Sequence, residues 1–208
     1  MHKAAAIISS LLLAQSAFAQ SNQTAVDQCL SCHKQADAAQ IDIIGLRALS
    51  ALPSEWQYLF EDEFDLDDNG VAGRLRFVSG PHVPLPGKFG QRLAAGRFED
   101  FARIAGAAHG VDLSDRATLH AVQTTFEALS PDPDLPFEST AEQNAFEMRG
   151  CADCHVTRTF EHEGKTYMPL SDFLLHETDA GPRRTAPLWG CASCLDAATH
   201  VWLQKQTP

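Results

Sequence analysis

Apolar positions along this 208-residue chain recur at helical spacing and almost nowhere alternate. Phe98, Phe101, Ala102 and Ala105 fall at i, i+3, i+4 and i+7, and Gly110 stands where a left-handed C-terminal cap belongs. Leu119, Val122, Phe126 and Leu129 form a second stripe, with Ser114 in the N-cap position. Ile41 to Leu52 reads as an apolar helix that ends before Pro53. Ser139 followed by Glu142 makes a capping box that opens a short helix running into Gly150-Cys151.

Between these stretches the pattern breaks. Gly80 to Gly90 is rich in proline and glycine and reads as a loop. Residues 131–137 carry three prolines and mark a linker. No alternating apolar and polar run is long enough to predict a sheet. The expected class is mostly α, divided into residues 20–130, the linker 131–137 and residues 138–208. The N-terminus has a different pattern: Lys3, an apolar run from Ala4 to Ala14, then Ala17-Phe18-Ala19. This is a signal peptide over residues 1–19. Its apolar run is short of the roughly 20 residues that span a bilayer. The expectation is an exported, periplasmic protein with no membrane span.

Composition narrows the partners. The formal net charge is −11. Nucleic acid and anionic membranes attract surfaces rich in Lys and Arg, so a nucleic-acid partner is not expected. An acidic exported chain suits a basic redox partner protein.

The six cysteines are grouped as Cys29/Cys32, Cys151/Cys154 and Cys191/Cys194. The first two pairs continue into histidine. Cys29-Leu30-Ser31-Cys32-His33 and Cys151-Ala152-Asp153-Cys154-His155 both follow the c-type haem attachment pattern C-x-x-C-H. Two thiols at this spacing reach the two vinyl groups on one porphyrin edge, and the next residue can offer an imidazole nitrogen to the iron. The reading is two c-type haems, covalently held by Cys29, Cys32, Cys151 and Cys154, with His33 and His155 as proximal ligands. Zinc sites also use C-x-x-C pairs but do not require the following histidine. Cys191/Cys194 lacks that histidine, and a disulfide is the first choice there, ahead of a degenerate haem site or a metal pair with His200.

The second axial ligand separates electron carriers from enzymes that bind substrate at the iron. Met168 and His176 are the candidates for the second haem; His82, His109 and His120 are those for the first. Separately, Asp65-Leu66-Asp67-Asp68-Asn69-Gly70 follows the first half of a calcium loop, with Asp65, Asp67 and Asn69 as ligands. Arg76 occupies the twelfth position, which excludes a full EF-hand. A partial Ca2+ site over 65–76 is the remaining option beside a solvated acidic turn.

Several segments together resemble one family. Gly150 to His155, then Pro169-Leu170-Ser171-Asp172-Phe173-Leu174-Leu175-His176-Glu177, then Arg184-Thr185-Ala186-Pro187-Leu188-Trp189-Gly190, are similar in order to the di-haem oxidoreductases, peroxidase-like c-type cytochromes. Ile44 to Leu49, Asp67 to Arg74 and Lys88-Phe89-Gly90 resemble upstream elements of the same family, of which this chain looks like a shortened member. The resemblance implies two cytochrome c-like helical domains with one haem each. One haem would relay an electron and the other would meet an oxidant such as peroxide, with His176 a functional candidate near the second. The function expected is electron transfer with peroxidase-like oxidoreductase chemistry. The alternatives are a non-enzymatic carrier with two six-coordinate haems and a truncated haem-binding subunit of a larger complex.

Overall fold

A computed structural model describes residues 23–31, 45–66, 68, 70–129, 135–137 and 139–189. Residues 1–19, read above as a signal peptide, lie outside the described residues, as do Cys32, His33, most of the 131–137 segment and the Cys191/Cys194 pair. Five helices are present among those described: α1 over 23–31, α2 Leu46–Ala51, α3 Phe98–His109, α4 Arg116–Leu129 and α5 Thr140–Glu147. None is long and apolar enough to cross a membrane.

Helix ends follow local chemistry. Gly110 closes α3 at φ 71°, and Ser139 caps α5 by accepting the Glu142 N–H at 3.3 Å. At α4 the cap is Asp115 rather than Ser114: its carboxylate takes the Thr118 N–H at 2.7 Å and the Thr118 hydroxyl at 2.8 Å. An ionised acceptor at a helix N-terminus binds more strongly than a hydroxyl.

The expected mostly α class, a pair of cytochrome c-like helical domains, is not what the chain adopts. Three two-stranded antiparallel sheets are interleaved with the helices. β1 Phe77–Val78 pairs with β2 Leu85–Pro86, β3 Phe160–His162 with β4 Lys165–Tyr167, and β5 Leu175–His176 with β6 Arg183–Arg184. The strands are two or three residues long, too short to show a two-residue period, and so the sequence pattern misses them. The β3–β4 hairpin closes through Glu163-Gly164, both at positive φ (50° and 75°), as a two-residue turn with the strand twist requires.

The apolar core also departs from two separate helical units. One cluster joins Leu46, Leu49, Trp56, Phe89, Phe98 and Phe126 with Phe160, Tyr167, Phe173 and Trp189. These residues come from both sides of the 131–137 segment. A second, smaller cluster holds Phe146 and Leu170, with Cys151, Ala152, Met168 and Leu188 packed against it.

Buried polar groups tie the early and late segments together. Gln57 is fully buried, and its amide donates to the carbonyls of Gly87 and Phe173, both at 2.8 Å. The Trp56 indole donates to the Ser171 carbonyl at 3.1 Å. Gln57→Leu retains the volume but strips both carbonyls of their donor. We expect it to lower unfolding free energy by about 2–6 kcal/mol, at about 1–3 for each of the two carbonyls, less what is recovered by removing Gln57 Oε1, which is buried without a partner. A urea titration with an unchanged midpoint would contradict this account.

Candidate haem sites

The second C-x-x-C-H motif is the better described. Gly150, at φ 72°, ends the helical run and opens a single 3-10 turn at Cys151–Asp153. The turn brings the His155 N–H onto the Cys151 carbonyl at 2.9 Å, so both thiols and the imidazole leave one compact loop. Cys151 and Cys154 are free thiols, each partly buried.

The His155 ring is held from behind. Its Nδ1 lies 2.7 Å from the Leu170 carbonyl, which can only accept, so Nδ1 carries the proton and Nε2 keeps a lone pair. Phe146 meets the ring edge to face, with centroids 6.4 Å apart. Burial holds the imidazole pKa below its ordinary value; the bond to Leu170 and the charge of Asp172 oppose this, while His176 adds to the lowering. The result is a neutral, oriented imidazole with one free nitrogen. Metal-bound histidines are arranged in this way, with the second nitrogen donating to a carbonyl that sets tautomer and angle. The residues present therefore fit a haem iron at Nε2 and covalent attachment at Cys151 and Cys154.

The thiol chemistry weighs against a redox-active dithiol at this motif. Burial, then the charges of Asp172 and Asp153, push the Cys154 pKa up to about 11. Four units above neutrality leaves a thiolate fraction of roughly one in ten thousand. Redox-active C-x-x-C pairs depend on a stabilised thiolate. Among the described residues no group of three or more His, Cys, Asp or Glu converges on a metal position.

The first motif is only partly described. Cys29 lies on α1, packed against the main apolar cluster beside Val26 and Leu30. Cys32 and His33 fall outside the described residues. His82, His109 and His120 are all exposed, the first in a loop and the others on α3 and α4.

Both candidates for the second axial position have neighbours of their own. Met168 is packed against Phe146 and Leu170, the two residues that hold the ring from its other side. His176 uses both ring nitrogens: Nδ1 lies 2.9 Å from the Ala72 carbonyl and Nε2 lies 2.9 Å from Asp172 Oδ2. Of the calcium-loop residues, Asp67 and Asn69 lie outside the described residues. Asp65 turns its carboxylate onto the Gly70 N–H at 3.1 Å, closing the acidic turn on itself.

Asp172 is the residue that sequence reasoning passed over. It is 2% exposed, its N–H donates to the Cys154 carbonyl at 3.1 Å, and its carboxylate meets His176. Its other oxygen accepts the Leu174 N–H at 2.9 Å. The available signal was the Asp172/His176 spacing of four, with no helix there to give that spacing meaning. Gly73 completes the contact, since a Cβ there would stand 2.8 Å from His176 Cε1. Comparison with protein-family models, curated proteins and solved structures gave no match for this chain.

The Asp172–His176 pair makes a pH prediction. Burial is the largest influence on His176 and lowers its pKa; the bond to Asp172, its charge and the Ala72 carbonyl together outweigh burial and leave the pKa raised. A raised folded-state value gives stability that is complete below the unfolded pKa of about 6.5 and is lost as pH climbs through the folded value. Wild type should therefore lose more stability between about pH 6 and 9 than His176→Gln, in paired urea titrations. Parallel pH profiles would remove the pair as a charged one.

Proposed function

We propose that this chain is an exported c-type protein that carries two haems and transfers electrons. The observation that carries the reading is His155: a neutral imidazole on a C-x-x-C-H loop, with Nδ1 committed to the Leu170 carbonyl and Nε2 free. The repeat of the motif at Cys29-Cys32-His33 supports a second haem, and residues 1–19 support the exported location in which such haems are attached.

When bound, the haems would supply one-electron chemistry. This chain's own residues would do the rest at the second site. Cys151 and Cys154 would fix the porphyrin edge. Leu170 would hold the His155 tautomer. Phe146, Leu170 and Met168 would keep water from the ring, and the Asp172–His176 pair would add a fixed charge arrangement behind Cys154. The acidic surface would guide a basic redox partner protein.

The commitment of both His176 ring nitrogens to Ala72 and Asp172 supports the peroxidase-like reading over a carrier with both irons six-coordinate. The substrate on that reading is a small oxidant such as peroxide. Its reduction to two waters takes two electrons from the redox partner and two protons from solvent.

Purified from an exporting, haem-competent host, the wild-type protein should carry two covalent haems by pyridine haemochrome assay and keep its haem stain through denaturing electrophoresis. Cys151→Ala/Cys154→Ala should retain one. His155→Ala should retain the thioethers but change the spectrum of that haem alone. A polypeptide of unmodified mass would defeat the reading. Two low-spin EPR signals indifferent to peroxide would leave electron transfer and remove the oxidoreductase part.

A further inference from the structure

A cleft beside β5 gathers positive charge in an acidic chain. Arg74, Arg76 and Arg92 line a cavity of about 460 Å3 whose apolar surface includes Phe77, Leu175 and Pro182. We propose that this cleft binds a small organic carboxylate, its charged end between the guanidinia and its apolar body on Phe77, Leu175 and Pro182.

The charge balance is the first argument. Three guanidinia share one carboxylate: Arg74 pairs with Glu177 at 2.6 Å, and among the described residues no carboxylate reaches ion-pair distance of Arg76 or Arg92. The chain holds 27 Asp and Glu against 16 Lys and Arg, so carboxylates are abundant and simply are not placed here. Like charges in one cavity repel, and a bound anion relieves that repulsion. Guanidinium forks match carboxylate geometry with two parallel hydrogen bonds.

Rigidity is the second argument. Arg74 and Leu175 exchange backbone hydrogen bonds at 3.1 and 2.9 Å, which fixes the cavity floor to its wall. The Arg76 guanidinium donates to the Arg92 carbonyl at 2.8 Å, and the Arg76 carbonyl accepts the Gly87 N–H at 2.7 Å. The arginines thus start from a built frame, which lowers the ordering cost of binding. The volume falls within the range of about 300–1,000 Å3 typical of small-molecule sites. The apolar lining favours an organic acid over an inorganic oxyanion.

Isothermal titration of the full-length protein with hexanoate, hexanamide and inorganic phosphate tests this without reference to haem. Hexanoate should bind with Kd of about 1 mM or tighter, and hexanamide and phosphate at least tenfold more weakly. Arg92→Gln, at an exposed position, and Arg76→Gln should each weaken hexanoate about tenfold while far-UV circular dichroism stays unchanged. Absence of hexanoate binding, equal binding of hexanamide, or Arg92→Gln indistinguishable from wild type would overturn the proposal. Phosphate binding as tightly as hexanoate would overturn the ligand class.

Discussion

The buried run Ser171-Asp172-Phe173-Leu174 is the constraint around which the chain is organised. All four residues are at most 2% exposed, and a buried backbone must find partners for its polar groups within the protein. The partners come from three separate parts of the chain. Ser171 gives its carbonyl to the Trp56 indole, Asp172 its N–H to Cys154, Phe173 its carbonyl to Gln57, and Leu174 its carbonyl to Thr185. The Ser171 hydroxyl accepts the Phe173 N–H and donates to the Thr185 carbonyl, and the Asp172 carboxylate accepts the Leu174 N–H. No two-residue stretch of ordinary sheet would give these partners. The irregular segment is therefore what joins the Trp56 region, the second cysteine motif and the β5–β6 hairpin.

That requirement also sets the histidine. Leu170 precedes the run at φ 50°, fully buried, and Phe173 sits at φ 54°. Left-handed backbone at a bulky residue costs about 1 kcal/mol or more and persists only when the surroundings impose it. Here the neighbouring hydrogen bonds impose it, and the outcome is a Leu170 carbonyl turned onto His155 Nδ1. Core packing and ligand orientation are the same feature seen from two sides. A histidine so held enters metal coordination with its tautomer already chosen, and the buried surroundings favour the neutral form that coordination needs.

How much of this was legible depends on how local the cause is. Gly110 and Ser139 announce helix ends because a cap is decided within four residues. The cysteine motifs are equally local, which is why Cys151, Cys154 and His155 could be grouped from spacing alone. The helical class failed because β1 to β6 are made by partners elsewhere in the chain and leave no periodic trace in strands of two or three residues. Asp172 was invisible for the same reason: its role comes from Cys154 and His176 meeting it across irregular backbone. Met168 and His176 were attractive as ligands in sequence because methionine and histidine past the motif can swing over an iron. Phe146 and Leu170 pack against Met168, and Ala72 and Asp172 hold the two ring nitrogens of His176.

Two ion pairs side by side near β5 show how burial assigns different work to similar chemistry. Asp172–His176 leaves side chains 3% and 15% exposed, whereas Arg74–Glu177 leaves them 46% and 67% exposed. Solvent and salt screen the second pair heavily, and exposed pairs of this kind contribute about 0–1 kcal/mol. Glu177 is therefore a weak competitor for Arg74, and the cleft retains most of its positive field. The first pair cannot relax into water in the same way, so removing one partner strands the other in the interior. The buried pair stabilises the wall shared with the second cysteine motif, and the exposed pair leaves its arginine available to a stronger anion. Leu175 and His176 form β5, with the Leu175 backbone bonded to Arg74 and the His176 ring bonded to Asp172. An anion in the cleft would act on a frame that is continuous with the wall behind the second cysteine motif.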